Sequence, residues 1–206
     1  MNWYQKMTSW FILSIGKINW KGQNLLVDDE LATIRGKIIP DYYIILTHRD
    51  NHLSTFFTDL MNWIFTKKWG YWSHALMNME DEVKEDSDFR LVEAVSSGVK
   101  YTPFDDVFDV QGVVLLKPKN MSIDRWTLVL EKAKAELGKP YDTLFDIAND
   151  NALSCVELVR TALMAEPDYL INFANFEALI AKHNNLTPQM YYDCGDFVPV
   201  YEVRHK

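Results

Sequence analysis

Cys155 stands where a thiol could act as a nucleophile. It lies in the run NDNALSCVELV, residues 149–159, with turn-forming polar residues before it. After it, Val156, Val159 and Leu163 recur at helical spacing. That pattern puts the cysteine at or near the first turn of a helix. The positive end of the helix dipole there favours a thiolate, and unpaired backbone N–H groups can receive an oxyanion. A buried structural cysteine fits the same pattern, so position alone leaves both readings open.

A nucleophilic thiol also needs a base, and the base needs a group to orient it. His74 sits between apolar neighbours in WSHAL, residues 72–76, and Glu93 in LVEAV, residues 91–95. A carboxylate in an apolar strand is costly to bury unless it is paired. A hairpin joining these two segments sets His74 and Glu93 side by side. Glu93 then binds one imidazole nitrogen, fixes the tautomer and stabilises the imidazolium.

Other candidates carry less. Cys194, in YDCGD, is followed by too little chain to supply a helix and a base strand. His48 and His52 are four residues apart, but Arg49 stands where the metalloprotease motif has Glu, and the two are expected to be a solvated pair. His183 and His205 have no partner visible in the sequence. No Cys/His spacing resembles a zinc site, so no metal and no cofactor are expected.

The elements that must position these residues follow from composition and periodicity. Residues 41–47 (DYYIILT), 72–79, 89–95 and 112–116 read as strands, the last ended by Lys117-Pro118. The acidic residues between 80 and 88 read as a solvated loop joining the second strand to the third. Residues 53–65 have apolar positions at helical spacing. Ser122 caps a helix running to 137, with Gly138 just past its end. A second helix spans 153–164 and stops before Pro167; a third covers 171–183. Residues 198–203 close as a strand. Strands and helices are segregated rather than alternating, which indicates an α+β fold with an antiparallel sheet.

The 206 residues fit a single domain, with 1–37 as an N-terminal extension, 38–165 as the core and 166–206 as a C-terminal helix and closing strand. Apolar residues form 48% of the chain, enough for a real core without staples. A net charge of -8 argues against nucleic acid as a partner, which would require a basic face. Two cysteines make no disulfide framework and suit a reducing compartment. The apolar run 10–15 is too short to cross a bilayer and has no cleavage site, so neither a signal peptide nor a transmembrane helix is recognised. The aromatic segment 1–22 reads as an element packed on the domain, with peripheral membrane contact as the sharper alternative.

In their order, the segments DYYIILT (41–47), WSHA (72–75), LVEAVSSGV (91–99), LGKPYD (137–142) and SCVELV (154–159) resemble the circularly permuted NlpC-type papain-fold proteins, the YiiX/YebB-like group. In that group the His strand precedes the Cys helix. The resemblance implies a permuted papain-like core, with an antiparallel sheet or partial barrel and helices packed on it. It also implies Cys155 as nucleophile, His74 as base and Glu93 as orienting residue. Tyr141 then lies near the nucleophile, lining the site or assisting the oxyanion; a core tyrosine is the equal alternative. Trp72 lines the groove or packs beneath it, and Glu157, two residues after the cysteine, is structural. One departure is Asp41-Tyr42-Tyr43, where the group often opens its first strand with Gly-Asp.

The implied function is a thiol hydrolase cleaving an amide through a cysteinyl thioester, as a peptidase or amidase, with cell-wall peptides among its substrates. Two alternatives stand beside it: a lipid-directed acyltransferase or thioesterase acting on an acyl lipid, and a retired binding or virion structural protein on the same fold. The expected setting is cytoplasmic or virion-associated.

Overall fold

The computed structural model describes residues 25–38, 41–49, 69–78, 90–143 and 151–205, with Trp63 and Lys67 as single positions. The aromatic segment 1–22, the helix expected at 53–65 and the acidic loop 80–88 lie outside the described residues, apart from Trp63.

Helix α1 (Asp28–Ile38) opens with three acidic residues and closes with Arg35 and Lys37, charges that complement its dipole. Strands β1 (Ile44–His48), β2 (His74–Asn78), β3 (Arg90–Val95) and β4 (Gly98–Pro103) follow, then a single turn of helix α2 (Phe104–Val107) and strand β5 (Gly112–Pro118). Helices α3 (Ile123–Ala135), α4 (Cys155–Leu163), α5 (Tyr169–Asn172), α6 (Ala174–His183) and α7 (Pro188–Asp193) precede the last strand, β6 (Phe197–Arg204). The strands form one sheet in the order β4-β3-β2-β1-β5-β6, antiparallel at every pairing. The α+β reading and the antiparallel sheet are therefore what the structure has.

Apolar cores lie against both faces of this sheet. On one, Ile44, Leu46, Met77 and Val114 pack with Trp126, Leu158 and Val159 from the later helices. On the other, Ile45, Leu76 and Leu115 pack with Ile34 and Ile38 of α1 and with Phe104. Coverage on both sides explains why β1 and β5 are almost continuously apolar rather than alternating. It also makes the end of the segment read as an extension part of the packing, since Ile34 is fully buried.

Several elements differ from expectation. Strand β5 continues through Lys117 to Pro118, which pairs with Phe197; a proline is tolerated at a strand end. The helix expected at 171–183 is two, α5 and α6, broken at Phe173 (φ −122°, ψ 32°), whose ring stacks on Phe197. Helices α1, α2 and α7 and strand β4 carry little local signal. Strand β4, GVKYTP, is a strand because β3 offers it a ladder from Arg90↔Pro103 to Val95↔Gly98.

The tight β3–β4 turn at Ser96-Ser97 leads into Gly98, at φ +103°. A Cβ on Gly98 would stand 2.5 Å from the Lys139 carbonyl oxygen. Only glycine lets the hairpin lie against residues 138–140, where the Val99 N–H donates to Lys139 O and the Gly138 N–H to Val99 O. Further along, the Leu153 N–H donates to Pro140 O, two residues before Cys155. We expect Gly98→Ala to destabilise the fold by more than about 1 kcal/mol, because alanine meets both the positive φ and the carbonyl. Denaturant unfolding measures this, and an unchanged midpoint would show that the contact is not needed.

Candidate active site

Helix α4 starts where its cap dictates. Ser154 is the N-cap: its Oγ accepts from the Glu157 N–H (3.4 Å), while Glu157 Oε2 accepts from the Ser154 N–H (2.7 Å). This reciprocal capping box, legible in the sequence as S-x-x-E, makes Cys155 the first helical residue. It uses the N–H groups of Ser154 and Glu157 and not those of Cys155 and Val156. Glu157, buried, thus has a structural task. The helix is held along its length by Val156, Leu158, Val159, Ala162 and Leu163, all buried. Each of the two leucines contributes about 1.5–3 kcal/mol by burial. The Tyr191 hydroxyl of α7 donates to the Val156 carbonyl at 2.7 Å.

The strand that carries His74 lies against this helix. His74 opens β2 and pairs with Thr47 of β1. The β2–β3 ladder is limited to Met77↔Val92 and Asn78↔Leu91, so His74 and Glu93 are not register partners. Their side chains bridge the strands beyond the paired positions, with His74 Nε2 2.8 Å from Glu93 Oε2. The Cys155 thiol is the strongest influence favouring a charged His74 ring, ahead of Glu93. The structure thus brings Cys155, His74 and Glu93 together.

The electrostatics follow from this geometry. Burial alone would strip the proton from His74. The Cys155 charge and hydrogen bond, and then Glu93, outweigh it and raise the imidazole from 6.5 to about 10. Burial would likewise favour a neutral Glu93. His74 reverses this, aided by the Thr102 hydroxyl and the Lys100 charge, and lowers the carboxyl from 4.5 to about 2. Tyr141 is held well above 10, first by burial and then by the charges of Cys155, Glu157 and Asp142, so its phenol stays protonated.

Of the two places open to Trp72, the structure has the packed one: it is only 1% exposed, with its ring edge-on to Tyr71 at 4.8 Å. Two expectations need correction. His48 is no solvated residue: the sheet buries it and its ring stacks on Tyr71 at 4.1 Å, while His52 lies outside the described residues. His205 has a partner after all, Glu30 of α1, at 2.9 Å. Cys194 is buried far along the chain, and burial pushes its thiol up to about 12, the opposite of activation. Thr102 was not anticipated. Its Oγ1 donates to Glu93 Oε1 at 2.6 Å, and the one signal for it was the short Ser-Ser-Gly turn that folds β4 back along β3.

A family model described as "Permuted papain-like amidase enzyme, YaeF/YiiX, C92 family" matches residues 42–190. The chain belongs to this family. It is accordingly a cysteine hydrolase of the amidase and peptidase kind, on a permuted papain-like fold. The crystal structure of metalloprotein yiiX from Escherichia coli O157:H7 is similar, at 18% identity and a TM-score of 0.57, over 80% of this chain and 98% of that one. No curated protein matches the chain. Among the described residues, no three His, Cys, Asp or Glu are grouped to hold a metal ion. Nor is any described helix long and apolar enough to cross a membrane.

The pair of charges has a pH signature. The folded pKa of His74 lies above its ordinary value, so its contribution to stability is full below about 6.5 and lost as pH rises through about 10. The folded pKa of Glu93 is depressed, so its contribution is present above about 4.5 and lost as pH falls through about 2. The stability difference between wild type and Glu93→Gln is therefore expected to be greatest between about pH 4.5 and 6.5 and to shrink as pH rises from there towards about 10. Urea unfolding across pH 3–10 measures it, and a difference that does not vary with pH would count against the ion pair.

Proposed function

We propose that Cys155 is the nucleophile, His74 the acid and base, and Glu93 the residue that orients His74, in hydrolysis of a peptide amide. The observation that carries this reading is a thiol at the first position of a capped helix, acting electrostatically on an imidazole that a buried carboxylate holds through Nε2.

The Cys155 thiolate attacks the amide carbon. A C–S bond forms and the carbonyl π electrons move to oxygen. The oxyanion is received by the Cys155 backbone N–H, which the capping box does not use, and by the Tyr141 hydroxyl, which burial keeps protonated. Collapse restores the carbonyl and breaks the C–N bond, and His74 Nδ1 gives its proton to the departing amine. Water then attacks the thioester and His74 takes up a proton. The C–S bond breaks, releasing a carboxylic acid and the thiolate. Glu93 keeps its charge throughout and stabilises the imidazolium. Cell-wall peptides are the substrates we propose within this class. Both cysteines are free thiols, which supports a reducing setting, within a cell or a virion.

Iodoacetamide is expected to alkylate Cys155 near neutral pH much faster than Cys194, and His74→Ala to remove most of that advantage. Cys155→Ala should lower peptide-amide turnover by about 10³-fold or more, since the covalent route is gone. Cys194→Ala should leave turnover unchanged. Equal alkylation of the two wild-type cysteines would sink the reading.

A further inference from the structure

The triad is assembled on two strands and a helix, but Glu93 has a second oxygen and β4 addresses it. Register pairs Glu93 with Lys100 and Leu91 with Thr102. Strand alternation puts Lys100 and Thr102 on the same side as Glu93, with Thr102 its diagonal neighbour. Thr102 is 4% exposed, and its Oγ1 lies 2.6 Å from Glu93 Oε1, while Oε2 is the oxygen on His74. An ionised carboxylate only accepts, so the threonine hydroxyl must be the donor. Lys100 Nζ is farther, at 4.0 Å, and its side chain is about half exposed, so it contributes charge but no fixed direction.

We propose that Thr102 is a positioning residue for the amide hydrolysis: its hydroxyl locks the Glu93 carboxylate in the rotamer that presents Oε2 to His74 Nε2. This rests on the catalytic assignment of Cys155, His74 and Glu93 made above. Two oxygens held by two donors from opposite neighbouring strands fix the carboxylate plane. One oxygen held alone leaves it free to turn about its terminal bond, a broad and weakly restrained rotation. The charged groups facing Glu93 are His74 from β2 and Lys100 from β4; those facing His74 are Glu93 from β3 and Cys155 from α4. With the hydroxyl gone, the carboxylate lacks a charge-assisted bond in a buried place, and the imidazolium it supports loses its proton at lower pH.

The experiment compares wild type, Thr102→Val, Thr102→Ser, Glu93→Gln and the Glu93→Gln/Thr102→Val pair. It reads the pH profile of Cys155 alkylation by iodoacetamide, kcat and KM on a peptide amide, and the thermal midpoint. Thr102→Val keeps the shape and removes the hydroxyl. It is expected to lower kcat about 10-fold with KM little changed, and to move the alkaline limb of the alkylation profile to lower pH. Thr102→Ser should restore both. The double variant should be no worse than Glu93→Gln alone, because both changes act through one carboxylate. Thr102→Val with an unmoved alkaline limb would overturn the proposal. So would a Ser variant that folds like wild type yet behaves like Val. If instead Glu93→Gln leaves the alkaline limb in place, the triad assignment has failed, and the role of Thr102 fails with it.

Discussion

A carboxylate taken out of water must be given donors or it takes up a proton, and Glu93, only 7% exposed, is the residue on which this constraint falls. A protonated Glu93 could not support an imidazolium. Strand β2 therefore has to bring His74 to one oxygen, and β4 has to bring Thr102 to the other. The order β4-β3-β2 follows from that need as much as from apolar packing. Once the imidazole is held through Nε2, its other nitrogen points to a single place, and α4 must start there for the thiol to meet it.

How α4 comes to start there is a matter of backbone contacts running across the molecule. Gly98 lets the β3–β4 turn lie against Lys139, Pro140 accepts from Leu153, and the Ser154–Glu157 box fixes the first turn. The hairpin that holds Glu93 is thus tied by successive hydrogen bonds to the segment that carries Tyr141 and then to the helix that carries Cys155. The apolar residues behind Cys155 hold the helix against the sheet, so the tie and the core act on the same element. Chain order is immaterial to this geometry: a strand with His74 that comes first and a helix with Cys155 that comes later meet as well as the reverse, because such an arrangement is defined by distances and not by sequence position.

Much of this was legible without coordinates, but unevenly. The strand at 44–48 and the helix after Ser154 are written locally, in apolar runs, spacing and a cap. The pairing of His74 with Glu93 was reached because a buried carboxylate on an apolar strand demands a partner. Their bridge beyond the paired part of the ladder was not, since register is set by both strands at once. His48 went astray, and Trp72 stayed open between two places, for one reason. Each lies beside a segment whose facing depends on packing from distant residues, Tyr192 and Arg204 in one case and Tyr71 in the other. Strand β4 contains glycine, lysine and proline, and only its neighbour makes it a strand.

The sequence by itself determined the chemistry on offer: a thiol at a helix start, a histidine and a glutamate on strands, and the family order that joins them. These are properties of residue type and of spacing within one element, where local hydrogen bonding and periodicity decide the outcome. Tertiary structure alone decided which way Trp72 and His48 turn, and which strand runs beside β3. It also put a threonine hydroxyl on the second oxygen of Glu93. Those facts depend on contacts between residues far apart in the chain, and no local pattern carries the register that creates them.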